Sequence, residues 1–204
     1  MSGSWRKEQG RDRFFRKAKE EGFRARSAYK LQEIVRKNGL LKPGSIVLDL
    51  GAAPGSWTQL ASQVVGPKGK VVAVDLSEIA PIPNVTILRG DITDPEVQRQ
   101  LREALGGPAD AVLSDVAPAT TGIAVVDHAR SIALSEAALD IARQVLKPGG
   151  TFVVKVFRGG DFDAFVAEVR RYFQVVKIVV PEATRKESKE AYVVGLKLKA
   201  ERIG

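Results

Sequence analysis

The stretch that decides the fold is Ser45-Ile46-Val47-Leu48-Asp49-Leu50-Gly51-Ala52-Ala53-Pro54-Gly55-Ser56-Trp57. Its first six residues form a short apolar, β-branched run, the pattern of a strand buried on both faces. Gly51, Pro54 and Gly55 break the run and lead into Ser56–Val65, where the spacing predicts a helix. A strand, a glycine-rich turn and a helix N-terminus, in that order, let a ligand approach the backbone closely. The turn lacks the third glycine of the dinucleotide fingerprint, the one that permits close helix–strand packing over a pyrophosphate. A ligand without phosphates suits it better.

The same alternation continues outward. Strands are expected at 45–50, 70–75, 84–88, 110–114, 151–156, 174–180 and 191–198. Helices are expected at 56–65, 94–105, 126–146 and 161–172. Leu-Lys-Pro-Gly occurs at 41–44 and again at 146–149, each time just ahead of an expected strand. Strands that alternate with helices and read as continuous apolar runs predict an α/β, Rossmann-like fold with helices on both faces of a mostly parallel sheet. Only residues 181–190 separate the last two strands, too few for a crossover. These two are therefore expected to be antiparallel, giving a seven-stranded mixed sheet.

The chain has 204 residues, the size of one domain or of one domain with a short appendage. No apolar run is long enough to span a membrane, and a cytoplasmic protein is expected. The chain has no cysteine and one histidine, His128. That excludes a disulfide scaffold, a thiolate zinc site and a cysteine nucleophile, and argues against a Ser-His-Asp triad or a metal centre. The net charge of +8 points to a polyanionic partner. It is concentrated: residues 1–30 hold ten Lys or Arg against four Asp or Glu, a net +6, while residues 31–204 carry +2. Trp5, Phe14, Phe15, Phe23 and Tyr29 are interleaved with those cations. Residues 1–30 are therefore read as a basic helical extension that packs on the main domain, 31–204, and turns cations toward RNA.

Four acids follow or end successive strands: Asp49 with its loop, Asp75, Asp91 and Asp115. In an open α/β sheet they surround one crevice outside the carboxyl ends of the strands. Asp75 is placed to take ribose hydroxyls, and Asp91 to accept from an adenine amino group. S-adenosylmethionine, which combines a sulfonium, an amino acid head and an adenosine, matches that set. Lys155 lies within Phe152-Val153-Val154-Lys155-Val156-Phe157, inside a strand expected to be buried. Burial disfavours a lysine's charged form, and a desolvated lysine is suited to take a proton near neutral pH.

These residues also carry a resemblance. The chain resembles the FtsJ-like (RrmJ/RlmE) ribose 2′-O-methyltransferases from about residue 14 to residue 198. The matching segments are Arg24-Ala25-Arg26-Ser27-Ala28-Tyr29-Lys30-Leu31, the 49–57 turn, Ser114-Asp115-Val116-Ala117-Pro118, Val154-Lys155-Val156-Phe157 and Ser188-Lys189-Glu190-Ala191-Tyr192. Many relatives have a second glycine where Ser56 stands. The resemblance implies a Lys-Asp-Lys-Glu tetrad, which falls on Lys30, Asp115, Lys155 and Glu190. Glu187 lies three residues away; Glu190 is preferred because it directly precedes Ala191-Tyr192. The resemblance also implies that Gly51, Ala52, Pro54, Gly55, Trp57, Asp75, Asp91 and Asp115 bind S-adenosylmethionine, that no metal is required, and that the substrate is a uridine ribose of large-subunit ribosomal RNA, within an assembled ribosomal particle. A monomer acting in the cytoplasm is expected.

Absences narrow the chemistry. Base methylation through a thiolate needs a cysteine. Adenine amino methylases place Asn/Asp-Pro-Pro-aromatic where this chain has Ser114-Asp115-Val116-Ala117-Pro118. His128 is read as a structural residue near the start of the following helix. Three alternatives stay open at this stage: a tRNA anticodon-loop enzyme of the same family, a nicotinamide-dependent dehydrogenase, and a non-catalytic RNA-binding protein.

Overall fold

The computed structural model describes residues 13–119, 121–185 and 187–200. In chain order the elements are α1 (Arg13–Glu20), α2 (Ala28–Asn38), β1 (Ile46–Leu50), α3 (Ser56–Val65), β2 (Lys70–Asp75), β3 (Val85–Arg89), α4 (Pro95–Leu105), β4 (Ala109–Ser114), α5 (Ala124–Val145), β5 (Leu146–Phe157), α6 (Phe162–Tyr172), β6 (Phe173–Val179) and β7 (Glu190–Leu198). The sheet has seven strands in the order β3-β2-β1-β4-β5-β7-β6. Five strands are parallel, and β7 is antiparallel to both β5 and β6.

Period-two alternation sorts the strand side chains onto two faces. Val47, Val71, Leu113, Val153 and Val194 pack against Leu31 and Ile34 of α2 and Trp57, Leu60 and Ala61 of α3. Leu48, Leu50, Val72, Val112 and Val154 point the other way, toward Leu101 of α4, Leu139 and Ile141 of α5 and Val169 of α6. Fully burying one such side chain is worth roughly 1.5–3 kcal/mol. Helix ends follow their sequence signals. The Asp94 side chain accepts from the Glu96 N–H at 2.8 Å with Pro95 in the first turn, and Gly106 closes α4 in a left-handed conformation.

Two boundaries differ from the sequence expectation. β5 begins at Leu146, five residues early, because Leu146 already pairs with Ala109 before the register shifts and regular pairing resumes at Thr151. The Lys147-Pro148-Gly149 turn is thus an exposed irregularity within the strand. The expected division at residues 30 and 31 falls inside α2, whose Tyr29, Leu31 and Ile34 are all buried. Tyr29 packs with Phe14, Phe23 and Ala18 against Ala183, so α1 and α2 share one apolar seam with the 181–185 loop. Residues 1–12 of the basic extension lie outside the described residues. Among the described residues no helix is long and apolar enough to cross a membrane.

Candidate active site

The carboxyl ends of β1, β2, β3, β4 and β5 open on a cavity of about 510 Å³. Gly51, Pro54, Asp75, Asp91, Asp115 and Lys155 all line it. The strand order reverses beside β1, and the crevice lies at this switch point, outside the carboxyl ends of the strands. Gly51 sits at φ +69°, and a Cβ there would lie 2.5 Å from Cβ of Val116. Only glycine allows the β1 and β4 loops to pass that closely. Gly55, at φ +105°, opens α3 and would bring a Cβ within 2.7 Å of the Arg24 guanidinium.

The acids in the cavity are held by backbone donors. Asp75 accepts from the Ala53 N–H at 2.9 Å and from the Ser77 N–H at 2.7 Å. Asp91 accepts from the N–H and hydroxyl of Thr93 through Oδ1, which holds its carboxyl below the usual range. The same network leaves Oδ2 of Asp91 without a recorded partner among the described residues. Beneath the turn, Asp49 is fully buried; its Oδ2 accepts from the Thr58 hydroxyl at 2.6 Å and its Oδ1 has no partner among the described residues. Burial, followed by the neighbouring Asp115 and Asp75 charges, raises this carboxyl to about 7 against the opposing pull of Thr58.

At the β5 edge of the cavity, Lys155 Nζ donates to the Asp115 carbonyl at 2.6 Å and lies 3.1 Å from Asp115 Oδ1. Its side chain is 10% exposed. On the neighbouring strand Tyr192, the register partner of Lys155, donates its hydroxyl to the same Oδ1 at 2.8 Å. Burial, then the Asp115 and Glu190 charges, holds the Tyr192 phenol well above its ordinary value. Lys30 forms an ion pair with Glu190, and its ammonium lies 5.9 Å from the centre of the Tyr192 ring. All four tetrad residues therefore gather around Tyr192, as two ion pairs. The Lys30–Glu190 pair opens on a second, smaller cavity with Arg26, Arg185, Glu187 and Ser188.

The model of the FtsJ-like methyltransferase family matches residues 23–198. The chain belongs to that family. It is 53% identical over 191 residues to a protein of Syntrophobacter fumaroxidans named ribosomal RNA large subunit methyltransferase E, covering 93% of this chain and 96% of that one. A protein of the same name from Methanothrix thermoacetophila is 54% identical over 188 residues, 92% of this chain and 73% of its own length. A solved structure described as a ribosomal RNA methyltransferase of Plasmodium falciparum superimposes with a TM-score of 0.78 at 30% identity, over 86% of this chain and 98% of that one.

Three residues expected to bind the cofactor do not line the cleft. Trp57 is 2% exposed, donates its indole N–H to the Ser27 carbonyl at 2.8 Å and packs on the Tyr192 ring, so it is a core residue. Ala52 is buried, and the space over Gly55 is filled by Arg24. Other residues that the sequence reading did not assign take part. Ser27 lines the cleft and shares a 2.7 Å hydrogen bond with Ser56. Leu76, Ile92 and Leu134 supply its apolar wall. Tyr192 joins the two ion pairs; the motif Glu190-Ala191-Tyr192 held the signal, but only strand register shows that Tyr192 faces Lys155. His128 is structural as expected, its Nδ1 3.1 Å from the Phe157 carbonyl and its Nε2 accepting from the Asp161 N–H at 3.1 Å.

Proposed function

We propose that this methyltransferase uses S-adenosylmethionine to methylate the 2′-hydroxyl of a ribose, a uridine of large-subunit ribosomal RNA. The observation that carries this reading is the pairing of Lys155 with Asp115 at the rim of the acid-lined cleft, facing the Lys30–Glu190 pair across Tyr192. The cleft's chemistry fits the donor. Carboxylates at 75, 91 and 115 suit ribose hydroxyls, an adenine amino group and a cationic centre, and would repel a pyrophosphate. The names of the relatives support ribosomal RNA over transfer RNA as substrate.

The bound donor supplies an electrophilic methyl carbon on sulfonium sulfur. Asp75 and Asp91 would hold ribose hydroxyls and the adenine amino group, and Gly51 and Ser27 line the cleft beside them. Lys30 and Glu190 hold the ribose hydroxyl, and Tyr192 fixes the spacing between the pairs. In its neutral amine form, Lys155 Nζ, anchored by the carbonyl and carboxylate of Asp115, would take the proton that the ribose hydroxyl gives up on methylation. Holding oxygen and carbon in line supplies most of the rate in such a displacement.

The test is incubation with labelled S-adenosylmethionine and either undermethylated large ribosomal subunits or tRNA, followed by mapping of alkali-resistant linkages. Label at one uridine ribose of the large subunit is expected. Lys155→Met should lower kcat by about 10²-fold or more, the scale of a positioned acid–base group, with the KM for subunits little changed. Transfer by Lys155→Met at the wild-type rate would remove Lys155 from the mechanism, and label confined to tRNA would move the substrate.

A further inference from the structure

A cavity of about 640 Å³ lies beyond the tetrad and belongs to neither the cleft nor the Lys30–Glu190 cavity. The loop between β4 and α5 contributes to both, Ala117 to the cleft and Gly122 to this cavity. Its walls include Val125, His128, Phe157, Arg158, Gly160 and Lys189. Phe157 is two residues beyond Lys155 on β5 and pairs in register with Glu190. Glu187 and Ser188 line both this cavity and the one holding Lys30 and Glu190, so the two share a wall.

Its chemistry is that of a seat for a nucleotide. Val125 is 79% exposed at its edge and Ile123 60% exposed beside it, apolar surface placed next to a charged site. The Arg158 and Lys189 side chains have no hydrogen-bond or ion-pair partner among the described residues, and the Arg158 N–H donates to the Lys189 carbonyl at 2.8 Å, which holds the two cations side by side. Three acids stand among the lining, Asp127, Asp161 and Glu187: Asp127 accepts from the N–H and hydroxyl of Thr121 and from the Gly122 N–H, and the Asp161 carboxylate lies 3.4 Å from His128 Nε2. Unpaired RNA bases bind by stacking on guanidinium planes and apolar side chains, with cations on the phosphates. The volume lies in the range of small-ligand sites.

We propose that this cavity seats the unpaired nucleotide adjoining the one that is methylated, and so selects the target position. The proposal rests on the RNA reading above. Added atoms at Gly160 would enter open space, with nothing within 4 Å of a Cβ there, so Gly160→Trp fills the cavity without displacing the fold. With undermethylated large subunits, Gly160→Trp should raise the KM for RNA tenfold or more while the calorimetric Kd for S-adenosylmethionine stays at its wild-type value. Gly107→Trp, equally open but at the α4–β4 turn, should leave both unchanged. A photoreactive benzoylphenylalanine at position 125 should crosslink to a nucleotide next to the methylated ribose. An unchanged KM in Gly160→Trp, or crosslinks from position 125 only to ribosomal proteins, would overturn the cavity's role while wild-type transfer upheld the functional reading. Absence of transfer by the wild-type protein to any RNA would overturn both.

Discussion

At the scale of single residues, the site depends on where each carboxyl is left without water. Asp49 shows this most sharply. It is fully buried under the donor turn with one hydrogen bond, from Thr58. Its folded-state value of about 7 lies above the ~3.9 of an unfolded aspartate. The protonated form therefore stabilises the fold fully below the unfolded value, and that stabilisation is lost as pH rises through about 7. Asp49→Asn keeps the shape and an acceptor for Thr58 but carries no charge. Its melting temperature relative to wild type should rise by a few degrees between pH 5.5 and pH 8, measured without cofactor. Parallel melting curves across that range would mean that Asp49 is ionised throughout. The aspartate was legible in the sequence as part of a strand-end set. So was its burial, since β1 reads as a strand buried on both faces; its single hydrogen bond from Thr58 was not, because that depends on α3 closing over the strand.

At the scale of elements, the segment between α1 and α2 behaves differently from its composition. Arg24 was counted among cations turned toward RNA. Instead its guanidinium donates to the carbonyls of Pro54, Ala80 and Pro81 at 3.0, 2.8 and 2.9 Å, and its N–H donates to Gln59 at 2.9 Å. It ties the donor turn to the loop after β2. Charge-assisted hydrogen bonds of this kind contribute roughly 1.5–3 kcal/mol each, less where exposed as here. Arg24→Ala should weaken cofactor binding about tenfold and leave the salt dependence of RNA binding intact. If calorimetry shows unchanged cofactor affinity and RNA titrations show a shallower salt slope, Arg24 acts on RNA instead. Charge and spacing alone do not distinguish an arginine facing solvent from one capping carbonyls, since both satisfy the same side chain. Most strands and helices of the main domain were legible to within two residues, because apolar periodicity is local, but the start of β5 and the run of α2 past residue 30 were not.

At the scale of the molecule, the basic charge still has an outward face. Arg16 and Lys19 on α1 are exposed, off the Phe14–Ala18 face that packs in the seam with Tyr29. Changing both to Glu should weaken RNA binding and reduce the slope of log K against log salt by about one for each lost phosphate contact. Cofactor affinity should stay constant in the same variant, and an unaltered slope would leave α1 without a role in RNA binding. The sequence by itself determined the element order, the sheet's mixed character and the glycine turn that follows β1. Each of these is written in local periodicity or in residue type at a strand end. Only the tertiary structure decided how the site is joined. Lys30 and Glu190 are 160 residues apart, and Lys155 and Asp115 are 40 apart. The antiparallel register of β5 and β7 sets Tyr192 between the two pairs. Packing against Ser27 and Tyr192 draws Trp57 into the core. Side-chain direction at such distances follows from strand register and packing, which one stretch of sequence does not contain.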